Sequence, residues 1–267
     1  MNSIKGLMNL KGRRALITGA GGKLGHVFAE TLAEMGADLI LVDLQDTDIT
    51  EFAKLIKTNF GVSAESLYCD LERGDQRKEL IEHVKCSNTP LNILVNNAAF
   101  LAGANLAGWI APFENQSLDT WRRVLEVNLT SIFDLCQGLT PILKSSKGAS
   151  VINISSIYGA IAPNWELYKG LDMANPAAYS VSKGGLIQLS KWLSTTLAPD
   201  IRVNSISPGG ILRSQPDEFV ERYEQRTPLK RMANEDDFRG AIAYLGSDLS
   251  RYVTGQNIFV DGGWSVW

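Results

Sequence analysis

Tyr179 and Lys183 lie four residues apart in the run Tyr179-Ser180-Val181-Ser182-Lys183, a spacing that sets an aromatic hydroxyl and an ammonium on one helix face. A free tyrosine, with a pKa of about 10, is a poor acid or base near neutrality. A cation beside it favours the phenolate and moves the hydroxyl toward the range where acid-base catalysis works. The same pair also occurs on solvated helix faces that do no chemistry, so its company matters. The chain also carries a glycine-rich turn at 18–25, an Asn96-Asn97-Ala98-Ala99 run, and Ser155-Ser156 closing an apolar segment.

The elements that must position these groups can be read in order. Residues 1–10 read as a short arm, followed by a strand at Arg14 to Thr18. Thr18-Gly19-Ala20-Gly21-Gly22-Lys23-Leu24-Gly25 then opens an apolar-periodic helix that runs through Met35. Strand, glycine turn and helix together form a phosphate-binding context: glycines admit a pyrophosphate to the backbone, and the helix N-terminus attracts its charge. The next strand, Asp38 to Val42, ends in Asp43. A carboxylate there can accept from the adenine ribose hydroxyls and repel a 2′-phosphate, which favours NAD(H) over NADP(H); the alternative is that Asp43 merely begins a polar loop. Asp70, after a strand at Ser66 to Tyr68, is placed either to meet an adenine amino group or to cap the following helix, with Leu71 beside it.

A fourth strand, Ile93 to Val95, runs into Asn97, Ala98 and Ala99, whose small side chains permit close contact with a ligand. Residues 100–117, with Trp109 and Phe113, make a connection long enough to serve as a substrate wall. One helix is expected over Leu118 to Leu143. Within it Asn128 is either a satisfied core amide or a member of a proton relay, since asparagine is a poor mid-helix residue. Val151 to Ile154 is a strand ending at Ser155-Ser156, and Arg202 to Ile206 is another ending at Ser207-Pro208-Gly209-Gly210. Residues 211–230 are charged and loop-like, with a short helix near Asp217 to Gln225, and suit a mobile lid. A last helix is expected from Glu235 to Leu245. Strands alternating with helices imply an α/β fold whose parallel sheet is covered on both faces. No composition break divides residues 1–267, so one domain is expected.

Composition narrows the function classes. A net charge of −3 among 267 residues, without basic blocks, gives no nucleic-acid footprint. No apolar run reaches the roughly 20 residues of a membrane span, and residues 1–10 lack the core of a secretory signal. Cys69, Cys86 and Cys136 make an odd count without metal-ligand spacing, and His26 and His83 have no ligand partner. Free thiols suit a cytoplasmic protein, and no metal site is expected.

Taken together, these residues resemble the short-chain dehydrogenase/reductase family, in its single-domain branch, from about Leu10 to Trp264. The carrying motifs are T-G-A-G-G-K-L-G at 18–25, N-N-A-A at 96–99, Asn128, Ser155-Ser156, Y-S-V-S-K at 179–183, S-P-G-G at 207–210 and T-G-Q-N-I-F-V-D-G-G at 254–263. The resemblance implies a Rossmann-type doubly wound sheet and an NAD(H)-dependent oxidoreductase interconverting a secondary alcohol and a ketone on a sugar-like or other polar small molecule. It makes Tyr179 the acid/base and Ser156 the group that polarises the reacting oxygen. Lys183 would hold the nicotinamide ribose, and Asn128 would anchor a water that leads protons outward. Cofactor contacts are implied for Gly19, Gly22, Lys23, Leu24, Gly25, Asp43, Asp70, Leu71, Asn97, Ala98, Ala99, Tyr179, Lys183, Pro208, Gly209 and Ile211. A homodimer or homotetramer paired through the helices at 118–143 and 178–198 is implied as well. Rival readings are an epimerase or dehydratase that retains NAD, and a non-catalytic nucleotide sensor on the same fold.

Three departures stand out. Lys23 occupies the position of the branch's middle glycine, so the turn spells G-x-x-G-x-x-G, the spacing of relatives acting on nucleotide sugars; Lys23 either adds a cation near the pyrophosphate or points to solvent. Tyr179 follows Ser156 by 23 residues where the family keeps about a dozen, which makes residues 157–176 an insertion at the mouth of the site. Tyr158, Trp165, Tyr168 and Lys169 there either shape substrate choice or form a surface loop of packed aromatics. The insertion and glycine spacing resemble relatives encoded for bacterial surface-sugar or flagellin modification. Finally, the threonine that often follows P-G is absent; Ile211 offers its backbone, and Arg213 or Ser214 a side chain, in its place.

Overall fold

The computed structural model describes residues 3–87, 89–100 and 106–267. Seven strands, β1 (Arg14–Thr18), β2 (Asp38–Asp43), β3 (Ala64–Tyr68), β4 (Ile93–Asn96), β5 (Ala149–Ile154), β6 (Ile201–Pro208) and β7 (Asn257–Val260), form one sheet ordered β3-β2-β1-β4-β5-β6-β7. Every neighbouring pair is parallel. The three-residue runs in β1 and β4 that alternate no polarity, Ala15-Leu16-Ile17 and Ile93-Leu94-Val95, are wholly buried, as expected of strands covered on both sides.

Helices supply those covers in two layers. On one face α2 (Lys23–Glu34), α3 (Ile49–Phe60) and α9 (Arg239–Gly246) contribute Phe28, Leu32, Phe52, Ile56, Ile242 and Leu245 to one core. On the other, α4 (Gly74–Cys86), α6 (Ser131–Lys144) and α7 (Ala177–Thr196) contribute Leu80, Val84, Leu135, Leu139, Leu186 and Leu193 to a second. Each such side chain contributes about 1.5–3 kcal/mol when buried, so both layers are held by the apolar stripes already visible in the sequence. The chain order reverses between β1 and β4, and the crevice outside their carboxyl ends is where such sheets bind ligands.

Three local expectations change. The arm at 1–10 contains a helical turn, α1 (Ile4–Met8), with Ser3 Oγ accepting from the Gly6 N–H at 3.0 Å. The helix expected at 118–143 is interrupted: α5 (Leu118–Leu125) passes through a π-helical turn, Glu126–Thr130, before α6 begins. That wide turn carries Asn128, and turns of this kind concentrate at functional sites. The last helix begins as a 3₁₀ turn, Glu235–Phe238, closed by reciprocal bonds between Asn234 and Asp237, before continuing as α9. Within 211–230, α8 (Asp217–Arg226) forms as expected.

Candidate active site

The glycine turn is built on contacts that exclude side chains. Gly19 has φ +65°, and a Cβ there would meet the Ala98 Cα at 2.8 Å. At Gly25 a Cβ would run into the Gly19 carbonyl oxygen, which packs the first turn of α2 directly against the loop. Gly22 is under no such pressure and forms the N-cap of α2 without a side-chain bond. Lys23, the first residue of α2, is exposed. Asn97 ties β4 to this loop: its Nδ2 donates to the Thr18 and Gly19 carbonyls at 3.1 and 2.9 Å. The Asn97 and Ala98 N–H groups both donate to Thr18 Oγ1 at 3.1 Å.

A cavity of about 860 Å³ opens from this turn along the carboxyl ends of the strands. Gly19, Gly22, Lys23, Leu24 and Gly25 line one stretch, Asp43, Asp70 and Leu71 the next, and Asn97, Ala98 and Ala99 its floor. Ser156, Tyr179, Lys183, Pro208, Gly209 and Ile211 line the other end. The Asp43 carboxylate is fixed by the N–H groups of Gly21 at 2.7 Å and Leu44 at 2.8 Å. Asp70 Oδ1 accepts from the Glu72 N–H at 3.0 Å, a turn-closing role that leaves its second oxygen uncommitted in that bond. A trough with a glycine-lined stretch, a helix N-terminus and a carboxylate at the end of β2 fits a dinucleotide.

At the far end the chemistry-bearing groups gather. Lys183 is 2 % exposed, and its Nζ donates to the Ile154 carbonyl at 2.8 Å. Burial alone lowers its pKa to about 8. Its Nζ stands 5.8 Å from the Tyr179 ring centroid. The sequence led us to expect that Lys183 would pull the Tyr179 hydroxyl down. Instead, burial pushes that hydroxyl up, with the Ser156 hydroxyl acting against the rise. The physical reason is desolvation, which penalises phenolate and ammonium alike. Ser156 is buried, and its Oγ accepts from the Tyr158 N–H at 3.2 Å. Ser155 also lines the cavity, but its Oγ is committed to the Lys183 carbonyl at 2.8 Å, a bond that fastens β5 to α7.

Asn128 does not line the cavity. Fully buried in the π turn, its Oδ1 accepts from the Phe100 N–H at 2.6 Å and its Nδ2 donates to Ser182 Oγ at 3.1 Å. Ser182 in turn donates to the Tyr179 carbonyl at 2.8 Å. The side chain thus couples the segment after β4 to the helix that carries Tyr179 and Lys183.

Two walls flank Tyr179. Trp109 and Ala178, with Ile110 and Trp121, pack around it on one side; residues 101–105 of the expected 100–117 wall lie outside the described residues. On the other, the insertion packs against α8 and the C-terminal segment through Ile157, Leu167, Phe219, Tyr223, Met232 and Trp264. Tyr158 and Tyr168 turn toward this cluster, whereas Trp165 and Lys169 are exposed. Arg213 lines the cavity and is ion-paired with Glu235; Ser214 does not line it, and Gln215 does. Sequence reasoning missed Arg123 and Glu72, a bidentate pair at 2.7 and 3.0 Å on the cavity rim, because they are 51 residues apart and match no motif. It also missed Arg77, whose burial only the fold reveals.

The family model described as enoyl-(acyl carrier protein) reductase matches residues 19–265. The 3-oxoacyl-[acyl-carrier-protein] reductase FabG of Staphylococcus epidermidis is 31% identical over 94% of this chain and 98% of its own. Among solved structures, a gluconate 5-dehydrogenase from Burkholderia cenocepacia in complex with NADP and tartrate superposes with a TM-score of 0.87 at 27% identity, covering 99% of this chain and 100% of that one. An NAD+-bound xylitol dehydrogenase gives 0.83 at 26%, covering 95% and 99%. The chain belongs to the short-chain dehydrogenase/reductase family and is an oxidoreductase that acts on CH–OH groups with a nicotinamide cofactor.

Proposed function

We propose that the enzyme uses NAD(H) and interconverts a secondary alcohol and a ketone on a sugar-like or other polar small molecule, in the cytoplasm. The observation that carries the cofactor choice is the Asp43 carboxylate, held in the cavity wall by two main-chain N–H groups. A fixed negative charge at that height suits a ribose diol and opposes a 2′-phosphate. Relatives with sugar acid and polyol names support a polar substrate.

The bound nicotinamide would accept or donate the hydride at the reacting carbon. The protein's part is to manage the oxygen. Ser156 donates to it, stabilising alkoxide character as it develops. Tyr179, its hydroxyl kept protonated by burial, supplies the proton in reduction and removes it in oxidation. Lys183, buried beside the tyrosine ring, holds the cofactor ribose, and its charge favours the phenolate when the proton leaves. Asn128 acts through its bonds to Phe100 and Ser182, holding α7 in register with the β4 end; a proton-leading water belongs to the same reading.

A homo-oligomer is part of this proposal. Phe133 on α6 and Val181 and Trp192 on α7 are 44%, 50% and 55% exposed, an apolar presentation on two helices that suits burial against a second copy.

Separate titrations with NADH and NADPH, read by tryptophan fluorescence, test the cofactor reading. Tight NADH binding followed by NADH formation on a polyol or sugar derivative is the expected result. Preference for NADPH would overturn the role given to Asp43, and cofactor retention without net NADH release would overturn simple dehydrogenation.

A further inference from the structure

Arg123 and Glu72 line the cavity without belonging to any of the sequence motifs. Arg123, on α5, donates from Nε and Nη2 to the two Glu72 carboxylate oxygens at 2.7 and 3.0 Å. Its side chain is 46% exposed and that of Glu72 29%, and a pair this open to water contributes little to folding. What the two-point bond does is fix the plane of the guanidinium, which a lysine in its place would not possess. Each partner is anchored in turn. The Glu72 N–H donates to Asp70 Oδ1 at 3.0 Å, and the Arg123 Cζ lies over the Phe100 ring, 5.0 Å from its centroid. The Phe100 N–H is itself bonded to Asn128.

This arrangement spans one end of the cavity. Glu72 belongs to the segment after β3 and Phe100 to the segment after β4, strands that are separated in the sheet by β2 and β1. Arg123 touches both, so it bridges the trough outside the strand ends. The strand in between, β2, ends in Asp43, which takes the adenosine ribose in the cofactor reading above. The base joined to that ribose therefore reaches the stretch of wall where Asp70, Leu71, Glu72 and Arg123 stand. Carboxylates dominate there, and the charge of Arg123 is already matched by Glu72, so a phosphate would be repelled. A neutral purine suits the place: its amino edge can donate to a carboxylate, and its π face attracts a planar cation.

We propose that Arg123, held in its plane by Glu72, is the base-stacking residue of the cofactor site: the adenine lies against the guanidinium on the face away from Phe100, while Asp70 takes the amino edge. The proposal rests on the cofactor placement above. It makes the pair a specificity determinant that tells a dinucleotide from its nicotinamide half alone.

The test compares wild type with Arg123→Ala, Arg123→Lys and Glu72→Ala, using ligands that divide the cofactor: NADH, ADP-ribose, which lacks the nicotinamide, and reduced nicotinamide mononucleotide, which lacks the adenosine half. Calorimetry reads ADP-ribose, ligand fluorescence reads the two reduced nicotinamides, and urea unfolding without ligand checks that each variant is folded. Both Arg123 substitutions are expected to weaken NADH and ADP-ribose about five- to tenfold, the effect of one lost stacking contact, and to leave the Kd of the mononucleotide where it was. Glu72→Ala is expected to lose part of the same affinity with the same ligand pattern. Equal loss on the mononucleotide would mean that the pair only ties α5 to the segment after β3, and full affinity in Arg123→Lys would mean charge without stacking. Either result overturns the proposal, as does ADP-ribose binding that ignores Arg123. Where wild type prefers NADPH, the 2′-phosphate of ADP-ribose is the probe: dependence on Arg123 then keeps the stack and removes the reading of Asp43. Preference for NADH with no dependence on Arg123 would do the reverse.

Discussion

At the scale of single residues, the site sets proton affinities by burial. Replacing Tyr179 by Phe removes the proposed acid/base and leaves the cavity shape intact, so kcat is expected to fall about 10²–10⁴-fold while the NADH dissociation constant, read by fluorescence, changes little. Lys183 gives a pH signature. Its folded pKa, lowered to about 8, lies below the unfolded value of 10.5. Below pH 8 both states are protonated and the folded state bears the full burial penalty; as pH rises through 8 the folded state sheds its proton first, and stability increases. Wild type is therefore expected to gain about 1 kcal/mol on Lys183→Met between pH 7 and 9, measured by urea unfolding; a parallel pH response of the two proteins would refute it. Asp43→Asn is expected to lower the ratio of NADPH to NADH dissociation constants at least about tenfold, the equivalent of about 1.4 kcal/mol. All three residues were legible in the sequence because each ends a strand or sits at a helical spacing. The direction of the Tyr179 shift was not, because desolvation depends on what packs around the ring.

At the scale of elements, Arg77 holds together what the sequence read as one helix. From α4 its guanidinium donates to Asp134 Oδ2 on α6 at 2.7 Å, to Glu126 in the π turn at 2.7 Å, and to the Leu71 carbonyl at 2.7 Å. It is buried, while its carboxylate partners are about a third exposed, so solvent screens part of the pairing. Arg77→Met is expected to lower stability by about 1–3 kcal/mol in denaturant unfolding and to weaken cofactor binding through the Leu71 wall. Six of the seven strands could be foreseen from short, largely apolar runs closed by polar or glycine residues; β7 (Asn257–Val260) was not read as one. The π turn could not, because the apolar pattern of 118–143 stays continuous while one residue of extra helix is absorbed around Asn128. Nor could the Asn128 bonds, which join residues 28 and 54 positions apart.

At the scale of the whole molecule, the exposed apolar residues of α6 and α7 carry the expectation of a homo-oligomer. Light scattering at micromolar concentration should give a dimer or tetramer mass, and Trp192→Glu should shift it toward monomer; a monomeric wild type would refute the helix-pairing interface. The parallel sheet and its helix layers on both faces followed from the alternation of strands and helices, and the doubly wound arrangement from the family resemblance. The inward turn of Tyr158 and Tyr168 did not, since it depends on contacts with Phe219 and Trp264 far along the chain.

Gly159, just after Ser156, packs so closely on α7 that a Cβ there would meet the Lys183 carbonyl carbon at 2.5 Å. Backbone rests on backbone at that point, so the strand end carrying Ser156 is seated against the helix carrying Tyr179 and Lys183 within the first three residues of the inserted segment. The number of residues between serine and tyrosine is then free to change without moving the reacting groups. Loop sequence and catalytic geometry can thus evolve, or be engineered, as separate traits: residues 160–175 can be exchanged as a cassette while Gly159 keeps the backbone beneath them in place.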